Sequence, residues 1–317
     1  MRVLYQNSET GELFDLTRRV TGCRWETRLT GSPGRVELAV LRDESLSWSP
    51  GGVVQVYGEE NEGLFHGYLF SAAAGEGEEV SLTAYDQLRY LKNKDTYVFT
   101  GLRADQIAGR IAADFRLSTG ALENTGYVIP SLVADGESLL DIILGALETT
   151  LDQTGKRFFL WDDFGRLRLS AAPAAGGSPV VLGEGSLLTG YTHNVEIDTD
   201  SCNTVKLVRE EKDSASRAVW YGQNAQAAAR WGVLQHWRQV DDALNAAQLA
   251  QLGQALLGQL CREGRTLTLT ALGDTGVRAG SGVYLSLARE GLEGLALVER
   301  AVHDLREGTM ELKVRLT

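Results

Sequence analysis

Apolar and polar residues alternate through most of the first ninety positions. Val36, Leu38 and Val40 share one face of an extended chain, because side chains along a strand point to its two sides in turn. Val54 and Val56 repeat the pattern, as do Val80, Leu82 and Ala84. The acidic stretch from Gly58 to Gly63 separates two strand-like runs, VVQVY and LFHGYLF, and reads as a hairpin loop holding its carboxylates in water. Antiparallel strands with one wet face follow from this alternation.

The period then changes. Ile107, Ile111 and Phe115 recur every four residues with Ala104, Ala108 and Ala112 beside them, which predicts a helix over about 103–116. A second helix is predicted over about 137–152. Its stripe is Leu140, Ile143, Leu144, Leu147 and Leu151, with Asp135 as candidate N-cap and Gly155 as its end. A hairpin follows, KRFFLW and RLRLS around a turn at Asp162–Gly165. The stretch from Ala171 to Pro179 reads as the clearest linker in the chain.

Strands return at YTHNVEI, TVKLV and RAVWYG, and a helical segment interrupts over about 224–262. It carries Leu249, Leu252, Leu256 and Leu260, with Asp241 or Asp242 as cap. Leu267 and Leu269, then Leu312, Val314 and Leu316, alternate to the end, and no short-period repeat is visible. The expected fold is β-rich α+β. A first antiparallel β domain spans 1–94, an α+β domain 95–172, a linker 173–180, and a second β domain 181–317 with a helical insertion at about 222–263.

Composition sharpens this picture. A chain of 317 residues exceeds what one core usually serves. The 36 glycines against 5 prolines suit short hairpins. A net charge of -11 disfavours nucleic-acid binding, which needs a positive surface to displace counterions. Arg18, Arg19, Arg24, Arg28 and Arg35 form a local exception and read as a solvated strand face. The 3 cysteines, Cys23, Cys202 and Cys261, are spread out, which argues against a disulfide framework or a zinc site. No secretory signal or membrane-spanning stretch is expected, so folding in a cytoplasm is the expectation.

Candidate chemistry is sparse. His66, His193, His236 and His303 form no metal-binding spacing, and no GxSxG elbow occurs. Cys202 lies near His193, but a small buried cysteine is the stronger reading than a nucleophile pair. The acid pairs Glu59–Glu60, Asp162–Asp163, Glu210–Glu211 and Asp241–Asp242 fall in turns or at helix starts, where acids serve structure. Gly75–Gly77 and Gly280–Gly282 lack the setting of a phosphate loop. Trp220, Trp231 and Trp237 read as core or subunit packing. No catalytic, cofactor-binding or metal residue is expected, and no cofactor.

One resemblance covers most of the chain. The run LTAYDQLRYLKNKDTYVF resembles the XkdQ/YqbQ-like baseplate hub proteins of PBSX-type prophages and contractile bacteriocins. GGVVQVYGEENEGLFHGYLF, KRFFLWDDFGRLRL, AAARWGVLQHW and GDTGVRAGSGVYLSL agree in order, although Arg230–Trp231 stands where the family usually has Lys-Tyr. The resemblance implies two tube-like β-barrel domains and a structural, non-enzymatic subunit. In a trimeric, pseudo-six-fold ring it would join the tail tube to the central spike. The implied partners are the tail tube protein, the spike, other baseplate and LysM-type tail proteins, and a tape-measure protein in the channel. Neither sequence-specific nucleic acid nor membrane insertion is implied. The location would be the bacterial cytoplasm during assembly and then the extracellular particle. The alternatives are a tail-associated cell-wall hydrolase and a carbohydrate-binding adhesin, which would need a wet cluster of tryptophans on one face.

Overall fold

The computed structural model describes residues 1–174, 180–198, 201–210, 217–240 and 244–316. Seven strands open the chain: β1 (Arg2–Gln6), β2 (Leu13–Asp15), β3 (Val20–Arg28), β4 (Arg35–Leu41), β5 (Val53–Tyr57), β6 (Gly63–Ala74) and β7 (Glu79–Tyr85). The alternating residues of β4, β5 and β7 point into one core with Val3, Tyr5 and Trp25. A 3-10 turn (Gln87–Lys92) follows, capped by Asp86, whose carboxylate accepts the Leu88 N–H.

The middle segment holds β8 (Lys94–Arg103), α1 (Ala104–Asp114), β9 (Thr119–Leu122), β10 (Val128–Ser138), α2 (Leu139–Thr154), β11 (Phe158–Asp162) and β12 (Leu167–Ala171). In α1, Ile107 and Ile111 are buried with Ala104, Ala108 and Ala112, as their spacing requires. The cap of α2 differs from expectation. Ser138 accepts the Asp141 N–H, whereas Asp135 lies on β10 and accepts the Thr96 hydroxyl at 2.9 Å. Pairing of β10 with β8 runs to Ser138 and delays the helix. Gly155, at φ 69°, ends it as expected. Leu139, Ile142 and Ala146 widen the buried stripe, because α2 packs against both α1 and the β8–β10 ribbon.

Strand β11 is buried on both faces. Phe158 and Leu160 join the helices, while Phe159 and Trp161 pack against Leu29, Ala279 and Leu297. The hairpin to β12 turns through Phe164 and Gly165, both at positive φ (48° and 85°), which fits a two-residue turn matched to strand twist.

The chain continues with β13 (Val180–Gly183), β14 (Leu188–Glu196), β15 (Thr204–Glu210), β16 (Arg217–Gln223), α3 (Ala225–Trp231), β17 (Gln235–Val240) and α4 (Ala246–Leu260). It ends in β18 (Gly264–Leu272), β19 (Gly282–Leu287), β20 (Leu292–Asp304) and β21 (Thr309–Leu316). Residues 175–179 of the expected linker lie outside the described residues.

The chain forms two compact units, one of residues 1–192 with 268–317 and one of residues 193–267. One sheet runs in the order β14-β18-β21-β20-β3-β4-β7-β6-β5-β1-β2, with β19 on β20 and β13 on β19. It contains the same permutation twice. The order β3-β4-β7-β6-β5-β1 in the first β segment recurs as β14-β18-β21-β20-β19-β13 in the second. They differ at the end, where β1 runs antiparallel to β5 and β13 parallel to β19. The β-rich α+β architecture, with two β segments flanking an α+β segment, stands.

In the unit of residues 193–267, β15 pairs antiparallel with β16 and parallel with β17. Helix α4 covers one face, where Leu249 and Leu256 meet Val205, Leu207 and Cys202. Its cap is Asn245, in a reciprocal box with Gln248, while Asp241 and Asp242 lie outside the described residues. Besides its two helices the insertion holds a three-stranded sheet, and β17 falls inside the stretch expected to be helical.

Candidate assembly interface

The residues screened for chemistry have structural surroundings. Cys202 sits in the α4 core, and burial pushes its thiol up. Burial pushes the Cys23 thiol up to about 12, with Asp304 adding to the shift. His303 lies against Trp25, ring centroids 5.2 Å apart, and its Nε2 is 2.8 Å from the Val277 carbonyl. Burial pulls His66 down against the opposing charge of Asp162, and its Nδ1 is 3.2 Å from Gln55. His193 and His236 lie on β14 and β17. Glu59 and Glu60 are exposed in the β5–β6 loop, and Asp163 pairs with Arg168 at 2.8 Å. Glu210 ends β15, and Glu211 lies outside the described residues. Of the three clustered tryptophans, Trp220 packs over Gly253, Trp231 lies under Arg230, and Trp237 alone is exposed.

A buried polar junction ties distant segments together. Asp86 accepts the N–H groups of Gly34 (2.8 Å) and Leu88 (3.0 Å). Asp162 accepts the Gly165 N–H (2.7 Å) and the Gln87 amide (2.9 Å). Arg278 donates to the Asp162 carbonyl at 2.8 Å, and its guanidinium lies 4.2 Å from the Trp161 ring centroid and 5.7 Å from that of Trp25. Burial, reinforced by Asp162, holds the Asp86 carboxyl well above its ordinary range. Burial also raises Asp162, against its hydrogen bonds and Arg278. An arginine beside two buried acids offsets their desolvation, and its cationic face is shielded by indole rings.

The second such feature lies on the seam between the β segments, where β20 pairs antiparallel with β3. Glu26 of β3 accepts from Arg28 (2.8 Å), Arg300 of β20 (2.7 Å) and Arg35 of β4 (3.4 Å). Burial acts to raise the Glu26 carboxyl, but the hydrogen bonds from Arg300 and Arg28 outweigh it and hold it below its ordinary value. Arg28, exposed as expected of a solvated strand face, and Arg35, partly buried, are both partners of this carboxylate.

Several apolar surfaces face water. Val98 and Val133, directly paired across β8 and β10, are each 67% exposed. Tyr221 and Trp237 both lie opposite Lys206 in their strand pairs and are exposed. The end of β6, Phe70–Ala74, is exposed over five consecutive residues, in contrast to the buried Leu64, Phe65 and Leu69 before it. Phe70 packs against Tyr85 at 5.5 Å, with Arg89 over its ring at 5.2 Å.

The YqbQ-like family model matches residues 23–316. XkdQ of the phage-like element PBSX from Bacillus subtilis is 35% identical over 246 residues, 77% of this chain and 74% of that protein. The chain also has the fold of a tail protein from Neisseria meningitidis MC58, with a TM-score of 0.73, 15% identity, and coverage of 99% of this chain and 96% of that one. A component of the Escherichia coli type VI secretion system, described as similar to T4 bacteriophage tail proteins, gives a TM-score of 0.58 at 10% identity over 94% of this chain and 74% of that one. With the family model spanning nearly its whole length and a relative this similar, the chain belongs to the YqbQ-like family and has the fold of phage tail proteins.

Proposed function

We propose that this protein is a structural baseplate hub subunit of a contractile tail or tail-like particle, and that three copies form a ring with pseudo-six-fold character between the tail tube and the central spike. The observation that carries this reading is the strand order that occurs twice in one chain. Three such chains present six similar β segments. That number suits a three-fold spike on one side and a six-fold tube on the other. In this reading residues 1–94 and 181–317 form the two tube-like domains and 95–172 an α+β domain between them.

The partners in this reading are the tail tube protein, the spike, other baseplate and LysM-type tail proteins, and the tape-measure protein. Assembly takes place in the bacterial cytoplasm, before release of the particle. The reading assigns no catalytic residue. It is supported by the buried, raised thiols of Cys23 and Cys202 and by the hydrogen-bonded positions of Asp86 and Asp162. Assembled particles carrying the protein are the material for the test. Three copies at the baseplate centre and no clearing of peptidoglycan in a zymogram are expected. Clearing that disappears when the exposed Glu59 and Glu60 are both replaced by Gln, with assembly intact, would favour a hydrolase.

A further inference from the structure

The two β segments match residue by residue around their longest strands. Gly51 donates to the Leu69 carbonyl (2.7 Å) and Leu69 to that of Gly52 (2.7 Å). At the corresponding positions Gly280 donates to Val298 (2.9 Å) and Val298 to Ser281 (2.9 Å). Gly51 and Gly280 both hold positive φ (83° and 92°). A bulge follows in each, between Leu69 and Ser71 against β7 and between Val298 and Arg300 against β21. Strand β14 matches β3 in the same way. The Thr21 hydroxyl donates to the Ala39 carbonyl at 3.2 Å, and that of Thr189 to Thr270 at 3.0 Å. Leu41 donates to Arg19, and Leu272 to Leu187, both at 2.9 Å.

This match exposes an asymmetry. After its bulge β20 pairs with β3, Arg300 opposite Arg28 through Asp304 opposite Arg24. After the same bulge β6 has β7 on one side and, among the described residues, no strand on the other. The strand that corresponds to β3, β14, is the terminal strand of the sheet. Ala301, Val302 and His303 are buried in the seam, yet their counterparts Ala72, Ala73 and Ala74 are exposed. A flat edge without charge or proline is a template for another strand.

We propose that β6 of one copy pairs antiparallel with β14 of a second copy, repeating between chains the β20–β3 seam found within each chain. The register places Ser71 opposite Glu196, Ala73 opposite Asn194 and Ala74 opposite His193. The inference rests on the hub reading and names its subunit contact. The molecule carries both halves of the seam on different strands, so the contact is heterologous and generates a ring when its rotation closes. The missing side-chain bulk of Ser71–Ala74 lets the two backbones approach without a displaced side chain, whereas the internal seam is held by the Glu26 arginines.

The test is disulfide trapping in assembled particles, in a Cys261→Ser background that leaves only the buried Cys23 and Cys202. Ala73→Cys with Asn194→Cys places two thiols on facing positions, and Ser71→Cys with Glu196→Cys is the second pair if the first fails to assemble. Oxidation is expected to convert most of the protein into covalent species that end at three chains, with no adduct from either single variant. Particles with three copies and no interchain adduct in either pair would overturn the strand pairing while leaving the hub reading intact. Adducts extending beyond three chains would keep the pairing and overturn the hub reading.

Discussion

At the residue scale the decisive groups are buried charges that bridge segments far apart in sequence. Replacing Arg278 with Ala removes the cation near Asp86 and Asp162, loses its hydrogen bond to the Asp162 carbonyl and uncovers both indole rings. Losing a charged hydrogen-bond donor in a buried setting costs about 1–3 kcal/mol, so Arg278→Ala is expected to lower the denaturation midpoint in a urea titration. Glu26 sets an opposite pH behaviour from Asp86. The folded carboxyl of Glu26 lies below its unfolded value, so its contribution is present above the ordinary glutamate range and is lost as pH falls through the folded value. Glu26→Gln is therefore expected to destabilise by roughly 1–3 kcal/mol near neutrality and hardly at all in acid, as read from melting curves at both pH values. The folded carboxyl of Asp86 lies above its unfolded value. Its stabilising share is complete below the ordinary aspartate range and is lost as pH rises through the folded value.

Much of this was partly legible in the sequence. The turn at Asp162–Gly165 follows from Asp and Gly chemistry, and Asp162 does hold the Gly165 N–H. Its neighbour Asp86 comes from a different segment, and no local pattern announces such a meeting. The same holds for Arg300, which reaches Glu26 only because β20 lies beside β3.

At the element scale, periodicity located β4–β7, β11, β12, β14–β16, β18 and β21 together with α1, α2 and α4, and capping chemistry fixed the helix ends only where the flanking strand allowed it. Asp135 is a sound cap residue, but its carboxylate accepts the Thr96 hydroxyl across the β8–β10 ribbon and the helix waits for Ser138. Strand β17 escaped because exposed Gln235, Trp237 and Gln239 alternate with His236, Arg238 and Val240, a pattern with little apolar contrast. Two glycines of α4 give a test with opposite signs. A Cβ on Gly253 would lie 2.1 Å from the Trp220 ring, whereas one on Gly258 meets nothing within 4 Å. Gly258→Ala is expected to stabilise by about 0.5–1 kcal/mol through helix propensity, and Gly253→Ala to destabilise despite it, as measured by chemical denaturation. Gly165 is a third position of this kind. Its φ of 85° and a Cβ position 2.8 Å from the His66 ring make Gly165→Ala costly by about 1–3 kcal/mol in the same assay.

At the scale of the whole molecule, the two β segments and the intervening α+β segment were visible as changes of period. Their internal equivalence was not. It resides in matching hydrogen bonds and bulges, with Gly51 and Gly280 as one of few shared identities, and a search for short repeats passes over it. The α+β segment is also less separable than its change of period suggests. Phe164, at the tip of its last hairpin, lies 5.1 Å from Tyr57 and 5.6 Å from His66, and Phe159 and Trp161 pack against Leu29 and Ala279. Insertions are therefore expected to be tolerated on the exposed β8–β10 face, around Val98 and Val133, and to block assembly when placed in the β11–β12 hairpin, as scored by particle yield.

The hub assignment depends on how many chains surround the axis. A three-dimensional reconstruction of the assembled particle, computed without imposed symmetry at the baseplate, counts them directly. Three copies are expected, each contributing two β segments of the same strand order to a ring of six. One copy or six copies at the baseplate centre would contradict it.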